Sequence, residues 1–396
     1  MNKRAIAILG AIFILIVGTL GFLIYSKYGS KGASNNSPVT ETTPLNNTDV
    51  QPTDQEYSND QNPSGTDNTY VTAGTVIQLT TDQVVSPVLF YNGGGVTYFN
   101  RSGQLLRSDL EESNGQLLLT NQKILEVPQK PNISKILWPT QGNNYIAEIV
   151  SADGTKTWSF FDSDTVSYTD LSPKIYSLDW AMGGSKIVYI WLEGGKAYLT
   201  ISNPDGSDWQ TLAEMWDKDD IVKVSPDSSS ILFYHGSSTE KTNAINLVSS
   251  DAKVWKELVK DGYNIGALWS PDSQKFLFNK LDNSGNKYQL WYYDLASGEA
   301  VNTGLFTTVD KAVWGADSDV FYAAEPVTGA AGSGALTIDK FYQVSLQDMS
   351  KQEYSTGNFN VDGRELFLSL DGTRLFFKNA QDGGLYYLDL NQQSPN

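Results

Sequence analysis

From residue 73 onward the chain alternates short runs of β-forming residues with clusters of Gly, Asp, Asn and Ser, the pattern of many short strands joined by tight turns. The runs repeat. Five segments align with little adjustment: 178–190 (LDWAMGGSKIVYI), 222–234 (VKVSPDSSSILFY), 267–279 (ALWSPDSQKFLFN), 312–324 (AVWGADSDVFYAA) and 366–378 (LFLSLDGTRLFFK). A sixth, 136–149 (ILWPTQGNNYIAEI), fits with a weaker turn. Their anchors, Trp138, Trp180, Val224, Trp269, Trp314 and Leu368, stand 42, 44, 45, 45 and 54 residues apart. One four-stranded propeller blade takes about 40–50 residues.

Each unit reads as strand, polar turn, strand. The anchor ends an inner strand and can pack between sheets, Ser-Pro-Asp fixes the turn through the φ of proline and the acceptors of Ser and Asp, and an apolar run returns as a buried strand. A third strand recurs at 197–201, 244–248, 288–295, 341–346 and 385–390, and several units add a hairpin and a fourth stretch. Residues 89–110 show the same order one period before Trp138, which brings the count to seven; six or eight blades are compatible with the drift in spacing. The last unit ends after its third strand at Leu390, and residues 75–80 (TVIQLT) can supply the missing outer strand and close the ring. The fold class expected is therefore all-β, a seven-bladed β-propeller over residues 73–396.

The other strong apolar signal is at the N-terminus. Residues 5–25 form an uncharged run of 21 residues, about 31 Å of helix at 1.5 Å per residue, which matches a bilayer core. A signal-peptide apolar region is shorter, about 7–15 residues, and Lys27, Tyr28 and Lys31 crowd the place of a cleavage site, so an uncleaved transmembrane signal anchor is the expectation. Gly32 to Asn100 contains no Lys or Arg, a composition that crosses a membrane readily. Residues 1–4 are thus expected inside and the propeller outside, at the cell surface or in the periplasm. Residues 26–72, rich in Ser, Thr, Asn and Pro, have too little to bury to offset the entropy of ordering and are expected to be a disordered tether.

Composition narrows the chemistry. The absence of Cys and the single His exclude disulfides, thiolate metal sites, a cysteine nucleophile and multi-histidine metal centres. With 28 Lys and Arg against 45 Asp and Glu the net charge is −17, and beyond residue 30 it is −20, which speaks against nucleic acid as a partner.

Trp269-Ser270-Pro271-Asp272 with Phe276-Leu277-Phe278, Ser225-Pro226-Asp227 with Ile231-Leu232-Phe233, and Trp314-Gly315-Ala316-Asp317 resemble the WD-repeat-like propeller repeat of TolB and of the propeller domains of prolyl oligopeptidases. The resemblance covers roughly residues 84–390. It implies the fold and little of the function, since these residues build blades. The hydrolase domain of prolyl oligopeptidases carries a Gly-x-Ser-x-Gly elbow, which this chain lacks.

The remaining candidates have simpler readings. His235 follows a strand and suits a surface or packing role. Residues 151–158 (SADGTKTW) approximate a sialidase Asp box but fit a hairpin. Asp282, Ser284 and Asn286, and separately Asp219 and Asp220, are loop oxygens that lack the ligand count of a calcium loop. No catalytic, cofactor-binding or metal-ligating set is therefore expected, and no cofactor. The Gly-rich insertion 325–339 is the longest departure from the repeat and the loop best placed for partner contact. The expected function is a membrane-anchored, non-catalytic protein-binding or scaffolding module with envelope or extracellular protein partners. The alternative is an extracellular hydrolase or glycan-binding protein with carboxylates at the central channel.

Overall fold

The computed structural model describes residues 69–72, 76–90, 93–235, 243–281, 287–357 and 359–391. The expected membrane helix at 5–25, the tether up to residue 68 and the loop of Asp282, Ser284 and Asn286 lie outside these residues. Among the described residues, no helix is long and apolar enough to cross a membrane.

Six consecutive sheets, each antiparallel and four strands deep, span 84–125, 133–170, 175–215, 220–262, 266–305 and 312–354. In each, the four strands lie side by side in sequence order. The seventh sheet is composite: Gly363–Leu368, Arg374–Asn379 and Leu385–Asp389 are completed by Val76–Thr80, which runs antiparallel to Leu385–Asp389 with Val76 opposite Leu388. The chain is a seven-bladed β-propeller. The N-terminal strand Val76–Thr80 and the last strand share one sheet, so the ring is closed without an open seam.

Four residues of the span 26–72 expected to be tether are described, and they form a strand. Thr69–Thr72 forms a fifth, parallel strand on Lys351–Tyr354, the outer strand of blade 6. The free edge of blade 6 offers unpaired backbone groups, and a β-forming Thr-Tyr-Val-Thr segment satisfies them.

The core lies between the blades. One cluster joins Leu232, Tyr234 and Ile245 of blade 4 to Trp269, Phe276 and Phe278 of blade 5. Another joins Phe341 and Tyr354 of blade 6 to Leu375, Phe377 and Leu388 of blade 7, with Val76 of the closing strand among them. The second strands are buried on both faces, which is why Phe276-Leu277-Phe278 and Leu375-Phe376-Phe377 are continuous apolar runs and not alternating ones.

The repeated tryptophans do more than fill space. The indole N–H of Trp138 donates to the Ser86 carbonyl at 2.7 Å, Trp180 to Leu137 at 2.9 Å, Trp269 to Lys223 at 2.9 Å and Trp314 to Leu268 at 3.1 Å. Each bond reaches the inner strand of the preceding blade. The polar turns form a second ladder: the hydroxyls of Ser228, Ser273 and Ser318 accept from the backbone N–H of Met182, Asp227 and Asp272 in the blade before. These serines hold left-handed φ values of 60°, 61° and 59°, a conformation that glycine would adopt more easily, because the hydroxyl is what reaches the neighbouring turn. Within a turn, Ser270 Oγ donates to Asp272 Oδ1 at 2.5 Å and accepts from Lys275 N at 2.9 Å.

Removing the closing strand strips Val76 from its cluster and leaves the outer edge of Leu385–Asp389 unpaired. A chain beginning at Gln83 is expected to lose at least about 3 kcal/mol relative to one beginning at Gly65, from lost apolar burial and strand hydrogen bonds. Equal melting midpoints for the two would rule out closure by this strand.

Candidate functional site

The face on which the inner strands begin, here the top, also carries the connections from outer to next inner strand and from second to third strand. It holds the charged groups of interest. At the centre, Lys135, Asp179, Lys223 and Glu365 come from the inner strands of blades 2, 3, 4 and 7 and influence one another electrostatically. Groups on blades that are not neighbours can do so only across the central channel. Enclosure by the channel walls, and then Lys223, lower the affinity of Lys135 for its proton, whereas Asp179 raises that of Lys223.

The two channel carboxylates are already engaged. Asp179 accepts from the amides of Trp180 and Val224, each at 3.0 Å, and Glu365 accepts from the Ser86 amide at 2.8 Å and from Lys378 Nζ at 3.3 Å. The bonds to Val224 and Ser86 cross to the next blade. They join blades 3 to 4 and 7 to 1, two interfaces where no tryptophan donates.

The interface between blades 6 and 7 is held by a buried ionic network that sequence reading missed. Lys311 is 1% exposed, and its ammonium donates to Asp339 at 2.5 Å, Asp362 at 2.6 Å and Thr337 at 3.0 Å. Arg364 grips both oxygens of Asp362, at 3.0 and 3.1 Å, and Asp339 also accepts from the Gly363 amide at 2.8 Å. Burial alone would raise Asp362; the bonds from Arg364 and Lys311 overcome it and bring the carboxyl down to about 2. Asp339, which lacks the arginine, is held above the usual carboxylate range by burial, with Lys311 opposing. Thr337 and Asp339 end the 325–339 insertion, so the network pins that loop; Gln381 adds a bond to the Thr337 carbonyl at 2.8 Å. No spacing rule links Lys311 to residues 28 and 51 positions away, so only the closed ring makes the set visible.

The insertion and its neighbours leave apolar side chains exposed on this same face: Phe306, Val327, Leu336 and Phe359. Nearer blades 7, 1 and 2 the top face opens into a cleft of about 670 Å³ whose walls mix Val84, Phe99 and Ile133 with Arg101, Lys130 and Lys378, with no carboxylate among them. Two of its lysines are committed, Lys130 to Asp170 and Lys378 to Glu365.

His235 lies at the top of blade 4, with Nδ1 3.7 Å from Asp217 and 3.9 Å from Asp220. Asp220 is buried, and its carboxyl is pushed up to about 6 by burial and then by Asp217, against the pull of His235. Among the described residues, no group of three or more His, Asp or Glu side chains could hold a metal ion. Residues 151–155 form a tight turn closed by Thr155 N donating to Asp153 at 3.0 Å, joining strands Tyr145–Val150 and Lys156–Asp162 as a hairpin.

No family model matches the chain, and no curated protein matches it in sequence. Among solved structures it is similar to an oligogalacturonate lyase in complex with manganese, at 11% identity and a TM-score of 0.55, over 80% of this chain and 93% of that one. It is likewise similar to the C-terminal WD40 domain of Sif2, at 10% identity and a TM-score of 0.50, over 81% and 99%. TolB from Acinetobacter baumannii is matched at 17% identity and a TM-score of 0.43, over 78% of this chain and 79% of TolB. Its structural neighbours thus include TolB and WD40 propellers. At these identities the likeness is one of fold.

Two substitutions separate the roles of these charges. Lys311→Ala strands two carboxylates in the interior and is expected to cost about 3–5 kcal/mol, read by chemical denaturation. For Asp220, the folded carboxyl binds its proton more tightly than the unfolded one, so its contribution to stability is full below about pH 4 and falls as pH rises through 6. Asp220→Asn is therefore expected to stabilise by roughly 1–3 kcal/mol at pH 7.5 and to change nothing at pH 3.5. Melting curves at the two pH values check it, and an equal effect at both would contradict the assignment.

Proposed function

We propose that the chain is a membrane-anchored, extracytoplasmic β-propeller that binds envelope or extracellular proteins and catalyses no reaction of its own. The observation that carries this reading is the top face of blades 5 to 7. There Phe306, Val327, Leu336 and Phe359 are presented to solvent beside a loop braced by the Lys311 network. Exposed apolar side chains on one face of a polar surface are the usual material of a protein contact. A loop already fixed by buried ion pairs has little freedom left to lose on binding.

The alternative is a hydrolase or glycan-binding protein acting through channel carboxylates. Catalysis on a sugar needs two carboxylates converging on the substrate with their oxygens available. Asp179 and Glu365 instead serve as acceptors for backbone amides of adjoining blades, which favours the binding module. The lyase neighbour carries the same architecture with a reaction, so fold alone does not separate the two readings.

The test uses a photo-crosslinking residue placed at Leu336 in the anchored protein in its own cells, with the same residue at Leu370, exposed on the opposite face, as the control. A discrete protein adduct from position 336, absent from position 370 and lost in Phe359→Asp, is expected. Adducts of equal yield from both faces, or none from 336, would overturn the proposal.

A further inference from the structure

The outer strand of blade 2, Ser167–Asp170, is only four residues long, while those of blades 1, 3, 4 and 5 have between six and ten. Blade 6 has an equally short outer strand, but Thr69–Thr72 backs it. Blade 2 has no such addition among the described residues, so the facing side of blade 3 is left partly uncovered. The result is a pocket of about 280 Å³ in the groove between the two blades.

Its walls combine aromatic surfaces with polar groups. Tyr189, Trp191 and Trp209 line it, Trp209 being 68% exposed and Tyr189 and Trp191 meeting edge to face at 6.4 Å. Asp170 and Asp205 line it as well. Each has one oxygen fixed, Asp170 Oδ1 by Lys130 and Ser159 and Asp205 Oδ1 by Ser207. Seven residues carry a buried side-chain polar atom without a partner among the described residues, and Thr200 is the one of them that lines this pocket. It is 2% exposed. An orphaned buried hydroxyl costs about 1–3 kcal/mol, and a ligand bearing hydroxyls of its own would relieve it.

We propose that this groove between blades 2 and 3 is a binding site for a neutral sugar ring. The C–H face of a pyranose packs on the electron-rich faces of indole rings, and its hydroxyls pair with carboxylate oxygens and with Thr200. The two carboxylates disfavour acidic sugars, and a purely apolar occupant would leave Thr200 unpaired. The site is separate from the central channel and from the top face assigned to protein contact.

Saturation-transfer NMR on the full-length protein in detergent tests it, because the signal comes from the sugar protons. The probes are the β-1,4-linked tetramer of N-acetylglucosamine, cellotetraose and maltotetraose. Saturable binding of at least one is expected, lost in Trp209→Ala and retained in Trp216→Ala, whose exposed indole lies elsewhere. Thr200→Val is expected to weaken binding roughly fivefold while raising the melting midpoint of the unliganded protein, since it removes the orphan. That opposite movement distinguishes a ligand contact from a structural role. No saturable binding of any probe, or unchanged binding in Trp209→Ala, would overturn the proposal.

Discussion

Everything in this molecule depends on closing the ring. A blade buries both faces of its sheet only if a neighbour stands on each side, so the seventh blade must meet the first, and the pairing of Val76–Thr80 with Leu385–Asp389 makes that meeting part of a sheet. Closure has a second requirement. Packed sheets would slide on one another if only apolar contacts held them, and directional bonds fix their relative register. At the inner strands four interfaces use an indole N–H directed at a carbonyl of the preceding blade. The other three use carboxylates: Asp179 between blades 3 and 4, Asp339 with the Lys311 network between 6 and 7, and Glu365 between 7 and 1.

That division explains what could be read from the chain and what could not. The tryptophans recur at one position of a repeat, so Trp138, Trp180, Trp269 and Trp314 stand out, and with them the blade spacing and fold. The carboxylates sit at no shared position. Asp179 precedes the anchor Trp180, Glu365 lies three residues before Leu368, and Asp339 belongs to an insertion. Each works because of what faces it across a blade boundary, a relation between residues 24, 45 and 279 apart in the chain. The strand Thr69–Thr72 was hidden for a similar reason: its local sequence is short and polar, and only the edge of blade 6 gives it a partner.

The acidic composition takes on a more specific meaning in this light. Carboxylates are scattered over the surface, but several of those in the interior are structural acceptors, satisfied by main-chain amides or by a lysine and an arginine. A buried lysine with two aspartates is a poor route to stability, because desolvation offsets much of the attraction. Its value lies in specificity: Lys311 reaches Asp339 and Asp362 only when the insertion is seated against blade 7. A loop with Gly329, Gly332 and Gly334 at positive φ would otherwise sample many shapes. The network therefore converts a flexible composition into a fixed surface, and that is the property a docking face needs.

The groove between blades 2 and 3 follows from the same geometry by omission. Blades 2 and 6 both stop their outer strands after four residues; Thr69–Thr72 backs blade 6, and among the described residues no strand is added to blade 2. There Trp209 stands exposed and Trp191 half-buried, and the Thr200 hydroxyl has no partner among the described residues. A defect with no use would be removed at little cost, since valine has nearly the shape of threonine and would relieve the orphan. Keeping a polar atom buried and unpaired beside two indoles is a stability penalty of the kind that binding sites carry until a ligand arrives.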